Sequence, residues 1–175
     1  APAPGGDGSS RDFQSQWKKR QQDAEEEQAV MKKRLTLSVI LLVPLMYVAM
    51  GSMMGLPVPS FLIGMENALV SAMTQLLITL PILVLNRKFY TGGLRSLWKR
   101  SPNMDSLVAV GSGASLLYGI FALYRMAWGF GHGDMALVHQ YAHDLYFESS
   151  AMIVTLVTVG KYLQSRSKAK TSGAL

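Results

Sequence analysis

Four apolar stretches leave this sequence few ways to fold: Leu35 to Leu56, Ala68 to Leu85, Ser106 to Tyr124 and Leu145 to Leu163. Each has the roughly 20-residue length that a helix needs to cross about 30 Å of hydrocarbon. Their apolar residues run in blocks, without the spacing of a half-buried helix or strand. A soluble fold of 175 residues would have to hide all four. The expected class is therefore all-α: a polytopic membrane helical bundle with four transmembrane helices. The net charge of +6 is no sign of nucleic-acid binding, because the bases gather beside the apolar blocks. The expected partner is the lipid bilayer. The chain has no Cys, which excludes a disulfide framework and a thiolate zinc site.

The fourth block carries the most informative polar groups. Glu148 lies near one end and Lys161 near the other. An ionisable group inside a membrane span is costly and marks a functional site by default. The alternative for Glu148 is an interfacial carboxylate that simply reaches water. Gln164 follows sixteen positions after Glu148. At about 1.5 Å of helical rise per residue the two stand roughly 24 Å apart, near opposite faces of the hydrocarbon.

Ala1 to Ser10 reads as a Pro/Gly/Ser linker that would follow an upstream domain. Residues 11–34 read as a polar, solvated helix whose Glu25 to Glu27 precede Lys32 to Arg34 at helical pairing distances. Pro44 should bend the first span. Met46, Met50, Met53 and Met54 crowd its distal part. Thioethers suit Cu(I), but they also fill irregular packing. After the second span, Arg87 to Arg100 mixes aromatics, leucines and bases, as an amphipathic interfacial helix does. Gly92 and Gly93 are expected to break or hinge it. The segment is either a plain anchor with a loop or a docking platform that includes Arg95, Lys99 and Arg100. Gly111 to Ser115 give the third span a small-residue face suited to close helix approach. Residues 129–144 read as a loop with His132, His139 and His143, and loop histidines are more often bland than metal-binding. With Lys161 counted at the C-terminal end, every Lys and Arg except Arg125 falls in the N-terminal, middle or C-terminal basic segment. The positive-inside rule then puts both ends and the Arg87 to Arg100 segment in the cytoplasm, with Glu148 at the outer mouth.

The strings NMDSLVAVG, YFESSAMIVTLVTVGKYL and KAKTSGAL, with RKFYTGGLRSLWKRSPNMDSL, resemble the heavy-metal branch of the P-type ATPases, most closely the bacterial copper(I) exporters. The resemblance runs from about Leu35 to Leu175. It implies a class-specific pair of spans over 35–85, a cytoplasmic platform over 86–103, and the first two core spans over 104–164. Residues 165–175 would begin the cytoplasmic actuator region. The platform would receive a copper chaperone or the enzyme's own metal-binding domain. By the same resemblance Met104 matches a receiving methionine and Glu148 an exit glutamate. A thioether suits Cu(I), whereas a carboxylate is a poor match that favours release. Gln164 stands where the family usually has the entry glutamate, so it keeps an oxygen but lacks the charge. A glycine pair that often precedes the aromatic pair is replaced by Leu85-Asn86.

The implied function is ATP-driven export of Cu(I) across a bacterial plasma membrane. Mg²⁺ and ATP are expected only in domains absent from this sequence, which has neither the phosphorylated DKTGT string nor a CPC motif. A zinc, cadmium or cobalt pump of the same branch is the nearest alternative. A non-enzymatic four-helix metal-binding or scaffold membrane protein is the other.

Overall fold

The computed structural model describes residues 7–173 as a helical bundle. The elements are α1 (Asp7–Met50), α2 (Ala68–Leu85), α3 (Lys88–Trp98), α4 (Met104–His132), α5 (Met135–Ala142) and α6 (Phe147–Gly173). Two short 3-10 turns, Ser60–Leu62 and Met65–Asn67, lead into α2. Of the expected linker, residues 1–6 lie outside the described residues, and α1 begins at Asp7.

The polar segment and the first span form one helix, not two elements. No Gly or Pro interrupts residues 9–43, so nothing in the backbone chemistry stops the helix where polarity changes. It ends at Met50, short of the expected Leu56. A Cβ on Gly51 would lie 2.3 Å from the Tyr47 carbonyl oxygen and 3.0 Å from Val58 Cγ2. Gly51 therefore lets the chain fold back, the Leu56 N–H bonding the Gly51 carbonyl at 2.9 Å. Gly55, at φ +73°, completes the turn.

The expected outer loop over 129–144 is mostly helix. α4 continues to His132, Gly133 caps it at φ +69°, and α5 follows at once. Asp134 is the reason α5 can start so soon: its side chain accepts from the Leu137 N–H at 3.1 Å.

Among the described residues, three helices are long and apolar enough to cross a membrane: those ending at Met50, Leu85 and His132. α6 falls short of that measure, so three of the four expected spans meet it. Its packing explains the shortfall. α6 touches α1, α2 and α4, and the face it turns inward includes Ser150, Thr155 and Thr158, all buried. The outer faces of its neighbours carry exposed Leu37, Ile40, Val43, Leu77, Leu117 and Phe121. Apolar groups outside and hydroxyls inside suit a bundle in lipid.

The expected small-residue face of α4 makes its close approach at Ser112, which is fully buried and whose carbonyl accepts from Ser150 Oγ of α6 at 2.8 Å. Its glycines are not the contact: Gly111 has open space around it, and Gly113 meets nothing closer than 4.0 Å. Further close approaches are at Gly119 and Gly129. A Cβ at Gly119 would lie 2.4 Å from the Leu145 carbonyl, and one at Gly129 would lie 2.9 Å from Val138 Cγ2. Phe147 and Val138 use that space in the far-end core with Ala72, Ala122, Met126 and Leu145.

Asn86 joins three helices at the opposite end. It is fully buried. Its Nδ2 donates to Ser38 Oγ of α1 at 2.9 Å and to the Ile82 carbonyl at 2.8 Å. Its Oδ1 accepts from Thr158 Oγ1 of α6 at 2.9 Å. Replacing Asn86 with Leu would leave two buried hydroxyls without this partner, at a cost of about 1–3 kcal/mol. Asn86→Leu is expected to lower the thermal midpoint of the chain in detergent, with Leu85→Ile as a control. An unchanged midpoint would show that the node contributes nothing.

Candidate functional site

The turn that opens α4 is built by a reciprocal cap. Asn103 Oδ1 accepts from the Ser106 N–H at 3.0 Å, and the Asn103 N–H donates to Ser106 Oγ at 3.3 Å. Ser106 Oγ also donates to the Gly93 carbonyl at 2.7 Å, which fastens the cap to α3. Met104 sits in this turn with its side chain largely exposed.

Asp105, in the same turn, pairs with Lys161 of α6. The Lys161 ammonium also lies over the Phe89 ring, 4.7 Å from its centroid. One cation thus holds α3, α4 and α6 together. Asp105 is also well placed at a helix N-terminus, where the backbone dipole favours negative charge. Gln164 lies one turn beyond Lys161 and is exposed. It lines a cleft of about 650 Å³ between α1 and α6, along with Trp17, Met31 and Lys168. The ion pair therefore ties the turn carrying Met104 to the stretch of α6 carrying Gln164.

Glu148 lies at the other end of α6, in its first turn, and is half-buried. Tyr146 before it takes a left-handed conformation at φ +50°, and buried Phe147 anchors the turn on Gly119. The structure does not gather Met104, Gln164 and Glu148 into one site. It distributes them to the two ends of one helical unit.

The platform is α3. Gly92 and Gly93 do not break it, contrary to expectation, since the helix runs unbroken from Lys88 to Trp98. The bend lies earlier, at Asn86 and Arg87, between α2 and α3. Gly93 serves packing instead: a Cβ there would lie 2.4 Å from the Asp105 carbonyl oxygen. Phe89, four residues before it, is buried on the same face. Tyr90 adds a polar tie. The Ser112 hydroxyl donates to the Val108 carbonyl, so the Tyr90 phenol donates to Ser112 Oγ at 2.6 Å. Burial pushes this phenol above its ordinary pKa, against the hydrogen bonds to Ser112 and Ser150. Arg95, Lys99 and Arg100 remain exposed, as do Leu94, Leu97 and Trp98. The surface is basic and apolar together.

Several of these partners escaped the sequence reading. Asp105 and Lys161 are 56 positions apart and Asn86 and Thr158 are 72 apart, with nothing local to join them. Among the described residues no three His, Cys, Asp or Glu side chains gather as a metal cluster.

Over 146 residues the chain is 36% identical to a copper-exporting P-type ATPase of Staphylococcus epidermidis, covering 82% of this chain. It is 38% identical over 120 residues to a copper-transporting ATPase of Helicobacter felis, covering 69% of this chain. It is 36% identical over 162 residues to a probable copper-importing P-type ATPase A of Enterococcus hirae, covering 89% of this chain. The chain is homologous to the copper-transporting P-type ATPases. It spans only 16%, 15% and 20% of those three relatives' own lengths. No family model matches the chain, and no solved structure matches it. Likeness to the copper P-type ATPases thus extends over helices that stand together here as one packed unit.

The two platform glycines separate packing from flexibility. Gly93→Ala forces the α4 backbone away and should destabilise the chain by about 1–3 kcal/mol. Gly92→Ala meets nothing closer than 3.8 Å and should be neutral or stabilise the helix by about 0.5–1 kcal/mol. Thermal melts of the two variants check this. Equal losses would mean that the pair acts as a hinge and not through packing at Gly93.

Proposed function

We propose that this chain is the membrane part of a P-type ATPase that exports Cu(I) from the cytoplasm of a bacterial cell. Homology to copper-transporting P-type ATPases over most of the chain carries the reading. The two-ended arrangement of Met104 and Glu148 supports it. The basic ends of α1, α3 and α6 face the cytoplasm in this reading, as the positive-inside rule requires. Met104 receives Cu(I) through its thioether, a soft ligand that exchanges readily. Gln164 offers a neutral oxygen beside it. Glu148 meets the ion at the outer mouth, where a hard carboxylate holds Cu(I) poorly and lets it go.

The basic, apolar surface of α3 is the docking place for a copper chaperone or for a metal-binding domain of the parent protein. Mg²⁺ and ATP act in parts of the parent outside this sequence, where phosphoryl transfer needs a nucleophile and phosphate-binding groups. Export is favoured over import by the assignment of Glu148 as the exit group, although one relative is named as a probable importer.

ATPase activity of the full-length parent against a metal panel tests this, with copper held as Cu(I) by reductant. Cu(I) should stimulate it and Zn²⁺ should not. Glu148→Ala should slow metal-stimulated dephosphorylation, and Gln164→Glu should leave transport equal or faster. Stimulation by Zn²⁺ alone would overturn the substrate. Loss of transport in Gln164→Glu would overturn the role given to that position.

A further inference from the structure

Three histidines sit at the far end of the bundle, and two of them come together. His132 is occupied locally: its ring stacks on Trp128 at 4.1 Å, and its Nδ1 lies 3.0 Å from the Trp128 carbonyl. His139 and His143 are one turn apart on and just after α5, both exposed. Their ring centroids are 5.3 Å apart, with the planes at 73°.

The backbone between them is well held. Val138 is fully buried in the far-end core and packs into the space left by Gly129. Asp134 caps α5, and its own N–H bonds the Gly129 carbonyl at 2.8 Å. Tyr141, between the two histidines, packs edge-on against Phe121 at 5.9 Å and lies under Arg125. The buried side of this turn is thus fixed, and the two imidazoles occupy its solvent side.

We propose that His139 and His143 form a two-imidazole binding site for an exchangeable transition-metal ion, Cu²⁺ in preference to Zn²⁺. With metal–nitrogen bonds of about 2.0–2.1 Å, two rings on one ion have centroids about 4.5–6 Å apart, a range that includes this pair. Imidazole suits copper and zinc, and Cu²⁺ binds a given nitrogen site more tightly than Zn²⁺. No third His, Cys, Asp or Glu joins the pair among the described residues. Water would complete the coordination, so the ion exchanges and is not structural. Ion binding by the pair does not rest on the proposed pump function.

The chain is titrated with Cu²⁺ in nanodiscs, free of any affinity tag, and the bound ion is read by electron paramagnetic resonance. The expected signal has two imidazole nitrogens. His139→Ala and His143→Ala should each weaken it by about tenfold or more, since even second-shell losses cost that much. His132→Ala should leave it unchanged. Circular dichroism checks helicity, and Gln replaces Ala where helicity falls. Undiminished binding in the double variant, or loss with only one of the two substitutions, overturns the site.

Discussion

A polar group buried in an apolar bundle must find its partner inside the protein, and Asn86 shows how far that requirement shapes this one. Its side chain uses both of its ends, reaching α1 through Ser38 and α6 through Thr158. It also closes the end of α2 on the Ile82 carbonyl. In water each of these bonds would contribute little, because water competes. In lipid the alternative is an unpaired group at several kcal/mol, so the three helices are held in one register. Thr155 is the exception among the described residues, since its buried hydroxyl has no partner.

That register sets the two ends. With α6 fixed against α1 and α2 by Asn86, and against α4 by the bond from Ser150 Oγ to the Ser112 carbonyl, its ends cannot slide. The Asp105–Lys161 pair then locates the start of α4 beside the last part of α6, and Gly93 lets α3 press against the same turn. Met104, Gln164 and the platform share one end as a consequence. Glu148 and α5 share the other. The proposed export path uses this division, with Met104 at the receiving end and Glu148 at the releasing end.

Much of the fold was legible because membrane spans write themselves in composition. Leu35, Ala68 and Ser106 each open a block whose helix the structure contains. The turn at Gly55 also carries a local signal, in the string Gly55-Leu56-Pro57-Val58-Pro59. What could not be read was tertiary. Gly92-Gly93 looks like a hinge in sequence, yet Gly93 is a contact made by the backbone of Asp105. Leu85-Asn86 looked like a missing glycine pair, yet Asn86 joins three helices and the bend sits beside it. Residues 129–144 lacked a long apolar run, which hid a short helix that depends on Gly129 and Asp134 for its place. The candidate-site residues themselves were named from sequence. The division of Glu148 and Gln164 between the two ends was expected from helical rise, but the ion pair beside Met104 and the cleft lined by Gln164 were not.

The central claim is that α6 crosses the membrane, since α6 is the one long helix of the bundle, among the described residues, whose composition alone does not mark it as a span. The chain has no cysteine, so single substitutions can report sidedness without background. Met104→Cys, Gln164→Cys and Gln140→Cys, all at exposed positions, would each be labelled in sealed vesicles with a membrane-impermeant maleimide. Met104→Cys and Gln164→Cys should react from one face and Gln140→Cys only from the other. Labelling of Gln140→Cys and Gln164→Cys from the same face would contradict the arrangement.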